Sequence, residues 1–301
     1  MDMKNKTCKR VTLQAVICLL YSLPLFFLPG CMQRQSSETA RSGQLTLALD
    51  RQLKDIASTQ AEMFTRYYPE ARISLLPASS GKTLRHLFDS KAGAALISGE
   101  SDATEDSLFA TLKRPLRLEP VARDAIVCIV NRRNLIEKLS LKELAALFSG
   151  KQMGVVPLIT ADDYRLQSLF AAKTGQKRTA LKAWAYKSDE EVIARVADDS
   201  KAVALLFRSS LDAAENHALL KEKIRIIPLS RESKGTEAFQ PTRQNIFDGL
   251  YPLVTTVYYV YYSGDSLAAG FGSWLGSSGQ KAIERSSLVP FRLLERTIIL
   301  K

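Results

Sequence analysis

Two successive rounds of short apolar runs alternating with amphipathic segments predict an α/β protein of two lobes. A closing strand and helix that cannot form a domain alone predict that the chain leaves the first lobe and later returns to it. The composition agrees: 301 residues, 46% hydrophobic and 24% charged, suit a globular chain with a large core and exclude disordered, collagen-like, coiled-coil and porin classes. Outside the N-terminus no run approaches the ~18 apolar residues that a membrane span needs.

Lys4, Lys6, Lys9 and Arg10 precede an apolar stretch over residues 11–28, the layout of a secretory signal. It ends in Leu28-Pro29-Gly30-Cys31, which resembles the lipobox of bacterial lipoproteins and makes Cys31 the expected lipidation site. An uncleaved anchor helix is the alternative, and Pro24 and Pro29 would break it. Residues 1–30 are then a signal peptide and residues 31–43 a polar tether. With Cys8 and Cys18 in the signal and Cys31 acylated, only Cys128 remains, inside Ala125-Ile126-Val127-Cys128-Ile129-Val130, where it reads as a buried strand residue without a disulfide partner. Two histidines in the chain and no His/Cys pair give no basis for a metal site or cofactor. The absence of Asp after Cys31 favours the outer membrane by the lipoprotein sorting rule, so the expected location is the periplasm, held by a lipid. The chain's formal charge is +11; without residues 1–30 it has 38 Lys and Arg against 30 Asp and Glu, a net +8. The positive charge belongs mostly to the exported domain.

The elements follow in order. Residues 45–49 read as a strand, and Leu53, Ile56, Ala57, Ala61, Phe64 and Tyr68 mark one face of a helix that stops at Pro69. A strand over 73–76 feeds Pro77-Ala78-Ser79-Ser80-Gly81-Lys82-Thr83 and a short helix around Leu84, Leu87 and Phe88. Residues 94–97 form a third strand closed by Ser98-Gly99, and residues 100–119 read as a long polar and basic segment. A new strand begins at 125–130. Ser140 and Glu143 have capping-box spacing. Strands over 155–159, 183–186, 202–207 and 224–229 alternate with helices over 166–173 and 190–197. Residues 230–244 read as loop, 251–262 as a long aromatic strand, and 267–287 as a closing helix with glycine breaks. The four tyrosines 258, 259, 261 and 262 point to both faces of that strand and read as core and hinge packing.

Four stretches carry a resemblance to a known family. They are Asp124-Ala125-Ile126-Val127-Cys128-Ile129-Val130-Asn131 with Leu139-Ser140-Leu141-Lys142-Glu143-Leu144 and Phe148-Ser149-Gly150-Lys151; Lys187-Ser188-Asp189-Glu190-Glu191-Val192-Ile193; Leu250-Tyr251-Pro252-Leu253 leading into 257–262; and 271–275 with Gly279-Gln280-Lys281 and Leu288-Val289-Pro290. Together they resemble the type 2 periplasmic solute-binding proteins, specifically the phosphate-binding lipoproteins of ABC importers. The resemblance implies a two-lobed periplasmic-binding-protein type 2 fold with hinge and central cleft, lobe 1 over 44–124 plus 250–301 and lobe 2 over 125–249. It implies a monomeric receptor that captures inorganic phosphate or another oxyanion and hands it to an ABC permease, without being an enzyme.

In open α/β sheets ligands sit beyond the carboxyl ends of strands, where helix N-termini favour anions. Ser79, Ser80, Gly81, Lys82 and Thr83 lie at such a strand end, offering hydroxyls, a close-approach glycine and a cation; a capped loop with a solvated Lys82 is the plain alternative. Asp50, at the end of the first strand, could accept a hydrogen bond from a protonated phosphate and so reject fully ionised sulfate, or could equally be the N-cap of the next helix; Ser98, at the end of the third strand, is a candidate of the same kind as Asp50. In the second lobe Thr160 and Arg165 are the candidate anion ligands. There the chain departs from the family: Thr160-Ala161-Asp162-Asp163-Tyr164-Arg165 replaces a Gly-Ser-Gly-Thr-like turn, and Asp162 and Asp163 read as helix caps that would repel an oxyanion. That departure keeps a second reading open, a transport-inactive lipoprotein serving as sensor or envelope assembly partner. A secreted hydrolase lacks a nucleophile elbow or metal cluster, and scattered basic residues with export disfavour nucleic acid.

Overall fold

The computed structural model describes residues 38–101, 103–151, 154–213, 222–232 and 237–292; the signal segment, Cys31 and the start of the tether lie outside the described residues. In the first half, β1 (Gly43–Asp50), α1 (Lys54–Tyr67), β2 (Ala71–Ala78), α2 (Ser80–Phe88), β3 (Ala94–Ser98) and α3 (Ala103–Thr111) lead into β4 (Leu116–Asn131). The second half holds β5 (Leu139–Ser140), α4 (Leu141–Phe148), β6 (Val156–Thr160), α5 (Tyr164–Lys173), β7 (Trp184–Tyr186) and α6 (Asp189–Asp198). It continues through β8 (Ala202–Phe207), α7 (Arg208–Ala213), β9 (Ile224–Ile226), β10 (Leu229–Ser230) and α8 (Arg243–Phe247). The chain then returns with β11 (Val254–Tyr262), α9 (Ser266–Leu275), α10 (Gln280–Glu284) and β12 (Val289–Pro290).

One strand joins the halves. The main sheet runs β2-β1-β3-β11-β4-β8-β6-β7, and β4 pairs antiparallel with β11 over residues 116–125 and with β8 over residues 126–130. Within each half the neighbours are parallel, β2-β1-β3 on one side and β8-β6-β7 on the other, as βαβ units require. The apolar core follows the same division, with one cluster built on the second half of β4 and β8 and two clusters on the faces of the first half-sheet.

Strand alternation sorts the aromatic run. Val257, Tyr259 and Tyr261 face the cluster that holds Phe64, Phe271 and Trp274, while Tyr258, Val260 and Tyr262 face the other, with Leu84, Leu87 and Ile97. Two tyrosine hydroxyls of this run find partners: Tyr259 donates to the Ala268 carbonyl and Tyr261 to Glu119. Cys128 is a free, buried thiol that desolvation pushes up to about 12, so it stays unreactive.

Several elements differ from the sequence reading. The strand expected at 125–130 is the end of a 16-residue strand, because residues 116–124 find a backbone partner in β11 although the side chains of 116–120 and Arg123 are at most partly buried. The polar segment 100–119 contains α3, whose side chains stay largely in solvent and therefore carry no apolar stripe. Helix α2 starts at Ser80, so Ser80 to Thr83 form its first turn rather than a loop. The closing helix is two helices, broken where Gly276 and Gly279 intervene. At the expected tether's end, Thr39 and Ser42 close a hydrogen-bonded turn, with the Arg41 guanidinium 5.4 Å from the Tyr68 ring centre and the Ala40 carbonyl packed where a side chain on Gly270 would lie.

Candidate functional site

The predicted strand-end residues of the first half converge on one buried carboxylate. Asp50 ends β1 and is fully buried. Its Oδ1 accepts the Thr83 hydroxyl at 2.7 Å and its Oδ2 accepts the Ser98 backbone N–H at 2.7 Å. Asp50 makes no side-chain cap to the following turn; its two oxygens tie β1, α2 and β3 together. Burial raises its pKa, opposed by Arg165 and by the Ser98 and Thr83 hydrogen bonds. Ser98 Oγ is occupied by Gln52, whose amide donates to it at 3.0 Å. Lys82 faces solvent and Ser79 is half-buried, its carbonyl accepting the Lys82 and Thr83 N–H groups.

Helix α5 supplies the opposing wall. Asp163 is its N-cap, accepting the Leu166 N–H at 3.2 Å, as read from the sequence. The same carboxylate accepts the Ser80 hydroxyl at 2.8 Å, and Ser80 Oγ in turn accepts the Arg165 N–H at 3.2 Å. One serine on α2 thus bridges to the first turn of α5. Two glycines let the helix come close: a Cβ on Gly81 would lie 2.9 Å from Tyr164 Cδ2, and one on Gly99 only 2.0 Å from Leu169 Cδ1. Gly81 makes room for the Tyr164 ring, which the Arg178 guanidinium covers at 5.1 Å.

Arg165 is the most enclosed cation at this junction, 6% exposed. Its two terminal nitrogens reach Glu105 of α3 at 2.8 and 2.7 Å in a bidentate pair, while Nε is buried without a partner. Burial alone would lower its pKa, but Asp50, Glu105 and Asp163 outweigh it and the net direction is upward. Thr160, at the end of β6, donates to Asp189 at the start of α6. Asp163 is pushed up to about 7 by burial, with the nearby charges of Asp189 and Asp50 adding to the shift and the Ser80 hydroxyl opposing it.

Two cavities flank the Ser80–Asp163 bridge. One of about 220 Å³ is lined by Arg51, Lys54, Ser80, Thr160, Lys187 and Asp189 among others, and a smaller one of about 110 Å³ by Ser80, Gly81, Glu105, Tyr164 and Arg165 among others. The structure brings Asp50, Ser80, Thr83, Ser98 and Arg165 to one junction, places Thr160 across it, and leaves Lys82 outside. The sequence reading missed Glu105 and Asp189 as partners and Arg51 as a lining cation. Asp189 follows a Ser188 cap, which marks a helix start, but nothing in one dimension sets Glu105 against Arg165. The donors gathered here, the hydroxyls of Ser80, Thr83 and Thr160 and the Arg165 guanidinium, each donate to a carboxylate of the chain; among the described residues no cluster of His, Cys, Asp and Glu could hold a metal ion, and no helix is long and apolar enough to cross a membrane.

Solved structures with this architecture include a putative phosphate ABC transporter substrate-binding protein with bound phosphate from Clostridium perfringens, at 15% identity and TM-score 0.68, covering 83% of this chain and 100% of that one. An ABC-type phosphate transport receptor from Vibrio cholerae matches at 18% identity and TM-score 0.61, covering 81% and 99%. PstS from Borrelia burgdorferi matches at 14% and 0.57, covering 84% and 100%. No curated protein sequence matches the chain. At these identities the likeness establishes the fold, that of type 2 periplasmic binding proteins. The model of the PBP superfamily domain matches residues 34–278, and by that match, spanning most of its length, the chain belongs to the PBP superfamily.

Proposed function

We propose that this protein is a lipid-anchored periplasmic receptor, favouring the outer membrane, that captures a small oxyanion between its lobes and delivers it to an ABC importer. Phosphate is the favoured solute. The observation that carries this reading is the buried junction where the first turns of α2 and α5 meet, with the Arg165 backbone N–H donating to Ser80 Oγ and the Arg165 Nε–H left unmatched. Such donors compensate an anion's lost hydration and need no covalent chemistry. The phosphate-binding proteins of like architecture support the same solute class. Residues 44–124 with 250–301 and residues 125–249 act as the two lobes, hinged where β4 changes partner and the chain returns before β11.

The test is thermal unfolding of the full chain against phosphate, sulfate, molybdate and organic anions. A solute at 100 times its dissociation constant adds ~2.7 kcal/mol of stability; a flat response to every oxyanion would sink the reading. The second reading, a transport-inactive sensor or assembly partner, draws on Asp163 and Glu105, which occupy the anion donors from within the chain. A stable protein complex recovered together with a flat oxyanion response would favour it.

A further inference from the structure

We propose that Glu105 determines the affinity of the anion site: its carboxylate is a built-in occupant of the Arg165 guanidinium that an incoming oxyanion must displace. This rests on the reading of the junction as an oxyanion site.

The pair has the geometry of a bound ligand. A guanidinium presents two parallel N–H groups to two oxygens of a carboxylate or of a tetrahedral oxyanion in the same way, and Glu105 takes that position with both oxygens, at 2.7 and 2.8 Å. Arg165 cannot easily do without an anion there, since its side chain is 4% exposed while that of Glu105 is 24% exposed. A buried cation that loses its partner is strongly penalised. Exchange for another anion avoids that penalty, and the carboxylate can return to water.

The element that carries Glu105 is suited to exchange. Among the residues of α3 whose side chains are described, none is buried, and its aromatic contact is Phe109 against Phe88, with ring centres 5.9 Å apart. Opening such a helix uncovers little apolar surface. The cavity of about 110 Å³ beside Glu105 and Arg165 also touches Ser80 and Gly81, and the Nε–H of Arg165 is a buried donor that Glu105 does not use. An anion entering here gains the fork that Glu105 vacates, while the Ser80 hydroxyl stays with Asp163.

The experiment is calorimetric titration of inorganic phosphate and sulfate into the full chain and its Glu105→Gln and Glu105→Ala variants. The variants should bind at least one of the two anions about ten-fold tighter than the parent, or bind where the parent does not, and adding Arg165→Met to Glu105→Ala should abolish the gain. Glu105→Gln keeps the side chain's shape, and melting of each variant shows that it is folded. If the parent binds and the folded variants bind equally or more weakly, the role of Glu105 is overturned while anion capture stands. If neither the parent nor a folded variant binds either anion, both fall.

Discussion

Asp163 does two jobs with one carboxyl, capping α5 and receiving the Ser80 hydroxyl, and its environment charges for both. Because its pKa rises from 3.8 to about 7 on folding, the folded chain holds a proton that the unfolded chain releases. Stability therefore falls as pH rises from about 4 to about 7 and levels off above. Asp50, Asp189 and Asp124, the last raised to about 6 chiefly by burial, act in the same direction. Asp163→Asn keeps an effective cap and an acceptor for Ser80 and removes the charge. It should flatten part of the pH dependence and add ~1–3 kcal/mol at pH 8, measured by urea unfolding at pH 5 and pH 8. An unchanged slope would mean that the carboxylate is not desolvated. The residue identities at the junction were largely legible, since strand ends and helix starts announce where hydroxyls and carboxylates collect. Their pairings were not: whether Asp50 faces outward or turns to Thr83 and Ser98 depends on strands 48 residues apart in sequence.

Among the elements, α5 makes the contacts across the junction. Its cap meets Ser80, its first residue covers Gly81, Arg165 meets α3, and Leu169 fills the space beside Gly99. Gly99 has φ +92° as well as no room for a side chain, so Gly99→Ala should cost ~1–3 kcal/mol in unfolding free energy. A neutral result would show that the backbone at residue 99 relaxes as well as the Leu169 contact. By contrast α4 is held locally. Ser140 and Glu143 form the reciprocal capping box that their spacing predicted, with Glu143 N–H to Ser140 Oγ at 3.2 Å and Ser140 N–H to Glu143 at 2.8 Å. Ser140→Ala should lose ~1 kcal/mol by chemical denaturation while leaving anion binding unchanged. Helix α4 was readable because its cap lies within four residues. Helix α3 was not, because a helix left largely in solvent shows no apolar periodicity.

For the whole molecule, the order of strands and helices gave away a chain that leaves one half-sheet and comes back. The continuity of β4 was hidden by its partly buried first half, with Pro120 within it, and only its pairing with β11 extends it to 16 residues. If the chain captures an anion as proposed and residues 1–30 are removed, the net +8 of residues 31–301 should speed anion capture at long range and make association weaken with added salt. The Ser80–Asp163 and Arg165–Glu105 bridges have a wider consequence. In a receptor whose halves meet only through a bound solute, the closed shape is itself a report of cargo. If the chain is the receptor proposed, its own groups span the gap and shape and cargo would be partly uncoupled. A downstream partner that reads shape alone would receive an ambiguous message, and faithful delivery would call for a second cue, such as the position of α3 once Glu105 has been displaced.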